Sequence, residues 1–423
     1  MILRLAVWLG KSLRFAIRIV RKGGGSALPG LVVSRIFPNL LEQTLDNFED
    51  GLVIVTGSAG KSTTTKMLTQ ILEGHGLDVF TNPSTANIHQ GLFATVVEKT
   101  PIFGKLRGKI AVLEVDEAHA EQLSKLVAPR IVSVLNVMED QLDRFQDPSL
   151  VRDHLLKTAL RAKEQVILNA DDPNLRLISL DLNSVAKSWF GISKESLDKQ
   201  KHGLSFSPVI GSVPVRGSVS LEVDKYSDGK FDVKLDTGAQ AHIKLPNRGL
   251  HYASDAAAAI QTARVILNER FDFERTVSIL NEMVPVFARG ELTRVRDQLV
   301  EFILVQNPGS MQLNLDNLQG QPEQLFFAIG RDVHDPSWMW SVDYSNLSHA
   351  NVVSGFNAAE AELVLRYNNI PVEFCSDDLE AALDEFFKLP PPAKGVKTMI
   401  FSADAMRRIR RILGFWSPDE VGL

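Results

Sequence analysis

The sequence predicts an α/β protein. A mainly parallel sheet wrapped by helices comes first, with a small β insertion late in it, and a second α/β unit follows. Three observations predict this. Short β-branched runs alternate with helical patterns from about residue 50 to 195, as parallel strands with crossover helices require. Over about 200–245 the style changes to Gly-, Ser- and Val-rich alternation such as Ser218-Val219-Ser220-Leu221-Glu222-Val223, with Asp228-Gly229 as a hairpin turn. Strand–helix alternation then resumes over the last third of the chain. The 423 residues divide into a lead-in (1–48), a central unit (49–288) and a C-terminal unit (289–423).

In chain order, the first 22 residues hold Arg4, Lys11, Arg14, Arg18, Arg21 and Lys22 and no acid. The first five basic residues recur at helical spacing, among Leu3, Leu5, Val7, Trp8, Leu13, Phe15, Ile17 and Ile19. This is either a helix packed on the body or an interfacial helix on an anionic membrane surface. Its uncharged runs are too short to span a bilayer, and the charges continue too far for a signal peptide. Gly23-Gly24-Gly25 and Leu28-Pro29-Gly30 break it. Strands are then expected at 52–56, 109–115, 131–135 and 165–169, with a short extended piece at 78–81. Helices are expected at 61–74, 118–126, 151–162 and 252–268. A boundary falls near Phe287-Ala288-Arg289-Gly290. Beyond it, 300–305, 324–328, 351–354 and 398–401 read as strands, and 358–367 and 379–387 as helices.

Hydrophobic content of 44% and charged content of 23% are those of an ordinary soluble protein. A net charge of −5 gives no bulk basic character for binding nucleic acid. The single cysteine, Cys375, excludes a disulfide framework and a cysteine-cluster zinc site. It reads as a buried strand thiol, and the chain as cytoplasmic.

The chemistry begins at Val53-Ile54-Val55-Thr56-Gly57-Ser58-Ala59-Gly60-Lys61-Ser62-Thr63, where a β-branched strand runs into a glycine loop and then a helix. Gly57 and Gly60 let the backbone N–H groups of Ser58, Ala59 and their neighbours turn inward around phosphates. Lys61 reaches the β- and γ-phosphates of ATP, and the Ser62 hydroxyl can hold Mg²⁺, with Thr63 next to it. The spacing Gly-x-x-Gly-Lys-Ser is two residues shorter than the usual P-loop. Glu114 ends a buried strand, where an acid is costly unless it holds a cation, so it is a Mg²⁺ ligand candidate. Asp116 and Glu117 after it read more readily as surface acids. In Leu135-Asn136-Val137-Met138-Glu139-Asp140-Gln141-Leu142-Asp143-Arg144-Phe145, Asn136 can orient substrate or phosphate. Asp140 and Asp143 either act at substrate or metal or cap a helix. Asn169, opening Asn169-Ala170-Asp171-Asp172-Pro173, either reads a nucleobase edge or makes an Asx turn. Arg289 and Arg331 can bring charge from the C-terminal unit when it closes.

Together the short P-loop, Glu114, the Asn136 segment and Asn169-Ala170-Asp171-Asp172-Pro173 resemble the Mur ligase family. Within it the chain resembles the MurT type of subunit. The similar segments are Gly23–Gly30, Asp140–Phe145, Asn307-Pro308-Gly309, Gly330-Arg331-Asp332, Asp335-Pro336-Ser337-Trp338-Met339-Trp340 and Ser354-Gly355-Phe356. The resemblance implies an ATP-dependent carbon–nitrogen ligase. It would activate the α-carboxylate of D-glutamate in lipid II as an acyl phosphate, for ammonia released by a glutamine amidotransferase partner of the GatD type. It implies that Asp335 orients the partner's histidine, against the plainer reading of an N-cap in an Asp-Pro turn. Two features depart from the family. A four-cysteine zinc ribbon is missing, so a cysteine-ligated zinc is not expected. Tyr252 and Asp255 stand where adenine-binding asparagines are common. Another Mur-type amino-acid ligase and a non-catalytic nucleotide-binding scaffold are the competing readings.

Overall fold

Two sheets organise the chain in the computed structural model, which describes residues 2–20, 27–83, 86–103, 106–138, 148–209, 211–284, 289–318 and 320–415. The first holds β1 (Leu52–Thr56), β2 (Val79–Thr81), β3 (Ile110–Glu114), β4 (Ile131–Val134), β5 (Gln165–Asn169), β6 (Ala186–Ile192), β7 (Leu221–Ser227), β8 (Lys230–Leu235) and β9 (Gln240–Lys244). Their order is β2-β3-β1-β4-β5-β6-β7-β8-β9, parallel from β2 through β7 and antiparallel over β8 and β9. Every residue of β1, β3 and β4 is buried, because both faces are covered. The chain runs outward from β1 through β3 on one side and through β4 on the other. The carboxyl end of β1 is therefore the switch point at which such sheets bind ligands.

The helices Lys61–Gly74 and Leu250–Leu267 cover one face. The second is alanine-rich, with Ala253, Ala256, Ala257, Ala258, Ala259 and Ala263 fully buried, which lets it sit close to the sheet and to its neighbour. The 200–245 segment does not stand apart. Its three strands extend the main sheet, β7 pairing parallel with β6 through Phe190–Leu221 and Ile192–Val223. Asp228 and Gly229 both have positive φ (50° and 75°), the conformation a tight two-residue hairpin demands. On the other face, the helix Ile2–Val20 packs through Ala6, Val7 and Gly10 onto the helices Ala27–Ile36 and His89–Lys99. Gly10 is required there, since a Cβ would lie 2.6 Å from Val97 Cγ1.

The second sheet holds β10 (Arg289–Val295), β11 (Gln298–Leu304), β12 (Leu325–Ala328), β13 (Ala350–Ser354), β14 (Val372–Ser376) and β15 (Lys397–Phe401). Its order is β10-β11-β15-β12-β13-β14, all parallel except the β10–β11 hairpin. Cys375 lies on the edge strand β14, half-buried, its thiol pushed up to about 12 by burial and the nearby Glu362. The helix Pro308–Asp316 turns toward the first sheet, and its Leu313 joins that sheet's core. Polar ties add to this junction. His202 Nδ1 lies 2.9 Å from Asp316 Oδ2, and Lys201 donates to Ser345 Oγ at 3.0 Å.

Candidate active site

The loop after β1 needs glycine at two places. Gly57 and Gly60 have φ of 130° and 84°. A Cβ on Gly57 would meet the Asn136 backbone at 3.0 Å, and one on Gly60 would meet Asp255 Oδ1 at 2.1 Å. The loop is held from β4's end. Ser58 N–H donates to the Asn136 carbonyl (3.1 Å), and Met138 N–H donates to Ser58 Oγ (3.0 Å). The Asn136 side chain accepts from Ala59 N–H (2.8 Å) and donates to the Ala59 carbonyl (3.0 Å). Both ends of that amide therefore act on the loop. The helix Lys61–Gly74 starts at Gly60 with no side chain capping it, so its first N–H groups point toward the loop mouth.

Lys61 folds over this start. Its Nζ donates to the carbonyls of Gly57 (2.5 Å) and Ser58 (3.1 Å) and lies 3.9 Å from Glu117 Oε1. Ser62 Oγ donates to Glu114 Oε1 (3.0 Å), which also receives Asn87 Nδ2 at 3.4 Å. Glu114 is only 3% exposed. Asn82 fixes its backbone, accepting from Glu114 N–H (3.0 Å) and donating to its carbonyl (2.9 Å). Thr63 is buried, and its hydroxyl has no partner among the described residues. Asp116 and Glu117 are buried, each 5% exposed, and so are not the surface acids the sequence suggests. They open the helix Glu117–Leu126, which begins under the loop.

These residues fit a nucleoside triphosphate and Mg²⁺. An uncapped helix start takes an anion, a lysine lies across it, and a buried carboxylate faces a hydroxyl as a divalent cation requires. A pocket continues from Ala59 and Gly60 past Asn169, His251, Tyr252 and Asp255 to Leu304, Ser310, Leu313 and Asn314 of the second unit. Asn169 lines it while accepting from Asp171 N–H at 3.0 Å, so the Asx turn and a pocket-facing position coexist. The Tyr252 ring is tilted at 41° to that of His251, with centroids 4.1 Å apart. The next two acids are structural. Asp171 binds Arg216 (2.8 Å) and Ile192 N–H (2.7 Å), and Asp172 accepts from Val137 N–H (2.6 Å) and caps the helix Pro173–Asp181. Burial pushes both carboxyls up to about 6.

Other sequence candidates lie elsewhere. Arg331 does not line the pocket; its guanidinium sits 5.1 Å from the Phe356 ring centroid. Arg289 opens β10, and its side chain is outside the described residues, as are Asp140 and Asp143. Asp335 is exposed and caps the 3-10 helix Pro336–Ser341, accepting from Ser337 N–H at 2.9 Å, which holds its carboxyl below the usual range. Asn82, Asn87, Ser310 and Asn314 went unnamed in the sequence, and Glu117 reads there as a surface acid; each reaches the site through a contact distant in sequence.

The Mur ligase middle domain profile matches residues 55–263, the stretch that carries the glycine loop, Lys61, Glu114 and Asn136. The chain belongs to the Mur ligase family. Over 410 residues it is 26% identical to the MurT subunit of the glutamine-hydrolysing lipid II isoglutaminyl synthase of Streptococcus pneumoniae, covering 87% of this chain and 88% of that one. The MurT subunit of Staphylococcus aureus COL is 24% identical over 402 residues, with the same coverage. As a Mur ligase it also shares its fold with solved relatives. MurF of Thermotoga maritima, in complex with ADP, superposes with a TM-score of 0.67 at 20% identity, over 92% of this chain and 84% of that one. The pseudomurein peptide ligase type C of Methanothermus fervidus gives 0.67 at 17%, over 89% and 81%.

Proposed function

We propose that this Mur ligase is the ATP- and Mg²⁺-dependent ligase subunit of a lipid II isoglutaminyl synthase. It would amidate the D-glutamate α-carboxylate of the lipid II stem peptide with ammonia from a glutamine amidotransferase partner, in the cytoplasm at the inner face of the membrane. One observation carries this choice over other Mur ligases. Likeness to MurT subunits extends over 87% of the chain and so into the second unit, whereas the UDP-N-acetylmuramate–L-alanine ligase of Bifidobacterium longum matches 50% of it.

A carboxylate is a poor electrophile at neutral pH. Phosphorylation gives it a leaving group, and ammonia then displaces phosphate to form the amide. In this reading the uncapped N–H groups at the start of the helix Lys61–Gly74 hold the phosphates, since those of Ser58 and Ala59 are taken by Asn136 and shape the loop instead. Lys61 leaves its loop carbonyls for the phosphoryl group, placing positive charge where charge spreads in the transition state. Ser62 and Glu114 hold Mg²⁺, which neutralises phosphate charge when bound. Asn136 sets the loop's shape through Ala59, and Asn169, Tyr252 and Asp255 line the base and ribose side. Arg289 adds charge on closure of the second unit, which also excludes water from the acyl phosphate, whereas Arg331 lies against Phe356 and is left out of this site. Asp140 meets the substrate. The contact of Ser348 Oγ with His349 Nδ1 (2.9 Å) does not line the pocket, and the other ring nitrogen is held at the Glu323 carbonyl (3.1 Å); the half-buried Cys375 has its thiol pushed up to about 12.

Asp335 supplies the third member of the partner's catalytic set. It is exposed, and its neighbourhood suits a protein partner: Trp340, Phe356 and Tyr367 are 46%, 61% and 75% exposed, with Trp340 and Tyr367 edge to face at 5.1 Å. The test is amide formation by the reconstituted pair, with glutamine and with ammonium salts side by side. Asp335→Asn keeps the shape but loses the charge that favours an imidazolium. Glutamine-driven amidation should fall at least ~100-fold, while ammonia-driven amidation survives. Equal effects on both nitrogen sources refute the shared set.

A further inference from the structure

The face of the helix Ile2–Val20 that points away from the body is apolar where a surface helix is ordinarily polar. Its inner face is committed: Ala6, Val7 and Gly10 are buried against Val33 and Val97, and Arg14 pairs with Glu98. The outer face carries Leu5, Trp8 and Phe15, which are 55%, 57% and 69% exposed. With Ser12 they follow spacings of three and four residues, which places them along one strip. Arg4 and Lys11, seven apart, run along the edge of that strip. The first 22 residues hold six basic residues and no acid in a chain of net charge −5, and among the described side chains Arg4 and Lys11 set positive charge beside the exposed apolar strip. Among the described residues no helix is long and apolar enough to cross a membrane.

We propose that this helix lies in the surface of an anionic phospholipid bilayer. Leu5, Trp8 and Phe15 enter the boundary between headgroups and acyl chains, and Arg4 and Lys11 meet lipid phosphates. The Gly10 crossing clamps the helix to the first sheet's domain, so the membrane would hold the whole enzyme rather than a tether. The proposal stands on the helix alone and not on the nucleotide site. A lipid-linked substrate would meet the enzyme at that same surface.

The test is flotation of the full-length protein with vesicles, without nucleotide. Vesicles of phosphatidylcholine with about 30 mol% phosphatidylglycerol should carry the protein up, and pure phosphatidylcholine should carry at least about tenfold less. Roughly 0.5 M NaCl should release much of it, since screening weakens the charge term. Trp8→Glu/Phe15→Glu and Arg4→Glu/Lys11→Glu should each lower binding at least about tenfold, with melting temperature and ATP affinity unchanged. No lipid preference by the wild type, or double variants that float as it does, would overturn the proposal. So would concentration-dependent self-association that Trp8→Glu/Phe15→Glu abolishes without any vesicle binding, because a second copy would then cover the face. ATP affinity, read separately, keeps this result distinct from the ligase reading.

Discussion

The carboxyl ends of the two sheets use similar residues to opposite ends. After β1, two glycines at positive φ lead into a helix whose first N–H groups no side chain caps, with Lys61, Ser62, Glu114 and Glu117 gathered around it. After β12 and β15, Asp332 accepts from the Ser402 hydroxyl (2.6 Å) and from Ala403 N–H (2.9 Å) at the start of the helix Ala403–Ile412. Gly330 N–H donates to Ser402 Oγ (2.8 Å), and Asn357 Nδ2 serves the carbonyls of Gly330 and Val333 (3.0 and 2.9 Å). The second helix start is thus filled by the protein's own carboxylate, while the first is open to an anion from outside. Two lysines repeat the contrast. Lys61 bends back onto its own loop, beside a pocket. Lys397 is fully buried, its Nζ donating to the carbonyls of Phe386 (2.6 Å) and Leu389 (3.0 Å) at the end of the helix Leu379–Lys388 and lying 4.6 Å from the Phe386 ring centroid. A polar strand end marks a ligand site only when its groups are not already serving each other.

The contrast can be broken in four places. Lys61→Ala should cut ATP-dependent amidation by at least ~10³-fold while the protein stays folded, with a modest fall in melting temperature as the loop hydrogen bonds and the approach to Glu117 are lost. Normal turnover by the folded variant would remove the loop from the mechanism. Glu114→Ala should shift the Mg²⁺ titration of activity to at least about tenfold higher concentration, and an unmoved titration would take Glu114 out of the metal site. Asp332→Ala should behave in the reverse way. It strands a buried hydroxyl and a helix N–H, costing about 2 kcal/mol in denaturant unfolding, with ATP affinity and Mg²⁺ dependence unaltered. A stable Asp332→Ala protein with weakened ATP binding would make the second sheet's end part of the site.

Lys397 sharpens the comparison by pH. Burial lowers its ammonium from 10.5 to about 8. Between those values the unfolded chain binds more protons than the folded one, so folding stability should rise as pH climbs from about 8 toward 10.5. Lys397→Met should remove that rise, and thermal melts of both proteins across this range check it. Persistence of the rise in Lys397→Met would assign it to another group.

Local patterns were read well. The strand Leu52–Thr56 and the helix Lys61–Gly74 were legible to the residue, because a β-branched run, a glycine loop and a helical pattern follow one another without interruption. The helix Ala358–Tyr367 and the strand Gln165–Asn169 were equally plain. β10 was not, since Arg-Gly-Glu-Leu-Thr-Arg-Val is an edge strand with little apolar alternation and pairs only with β11. Asp116 and Glu117 read as surface acids because the burial of a strand-end acid depends on which loop packs over it. Asn136 was named as a candidate from its place after a strand, yet its grip on Ala59 crosses 77 positions of sequence.

By itself the sequence determined the fold class, the glycine loop between a strand and a helix, and an acid at the end of a buried strand. Each depends on residues adjacent in sequence or at one fixed period. Only the tertiary structure decided that 200–245 extends the main sheet and that Glu114 meets Ser62 while Glu117 approaches Lys61. It also decided that Ser310 and Asn314 close the pocket and that Trp8 and Phe15 face outward. These outcomes depend on which surfaces the packed elements leave over. Periodicity gives a residue's face on its own element, but what lies opposite that face is set by crossover and packing across the whole chain.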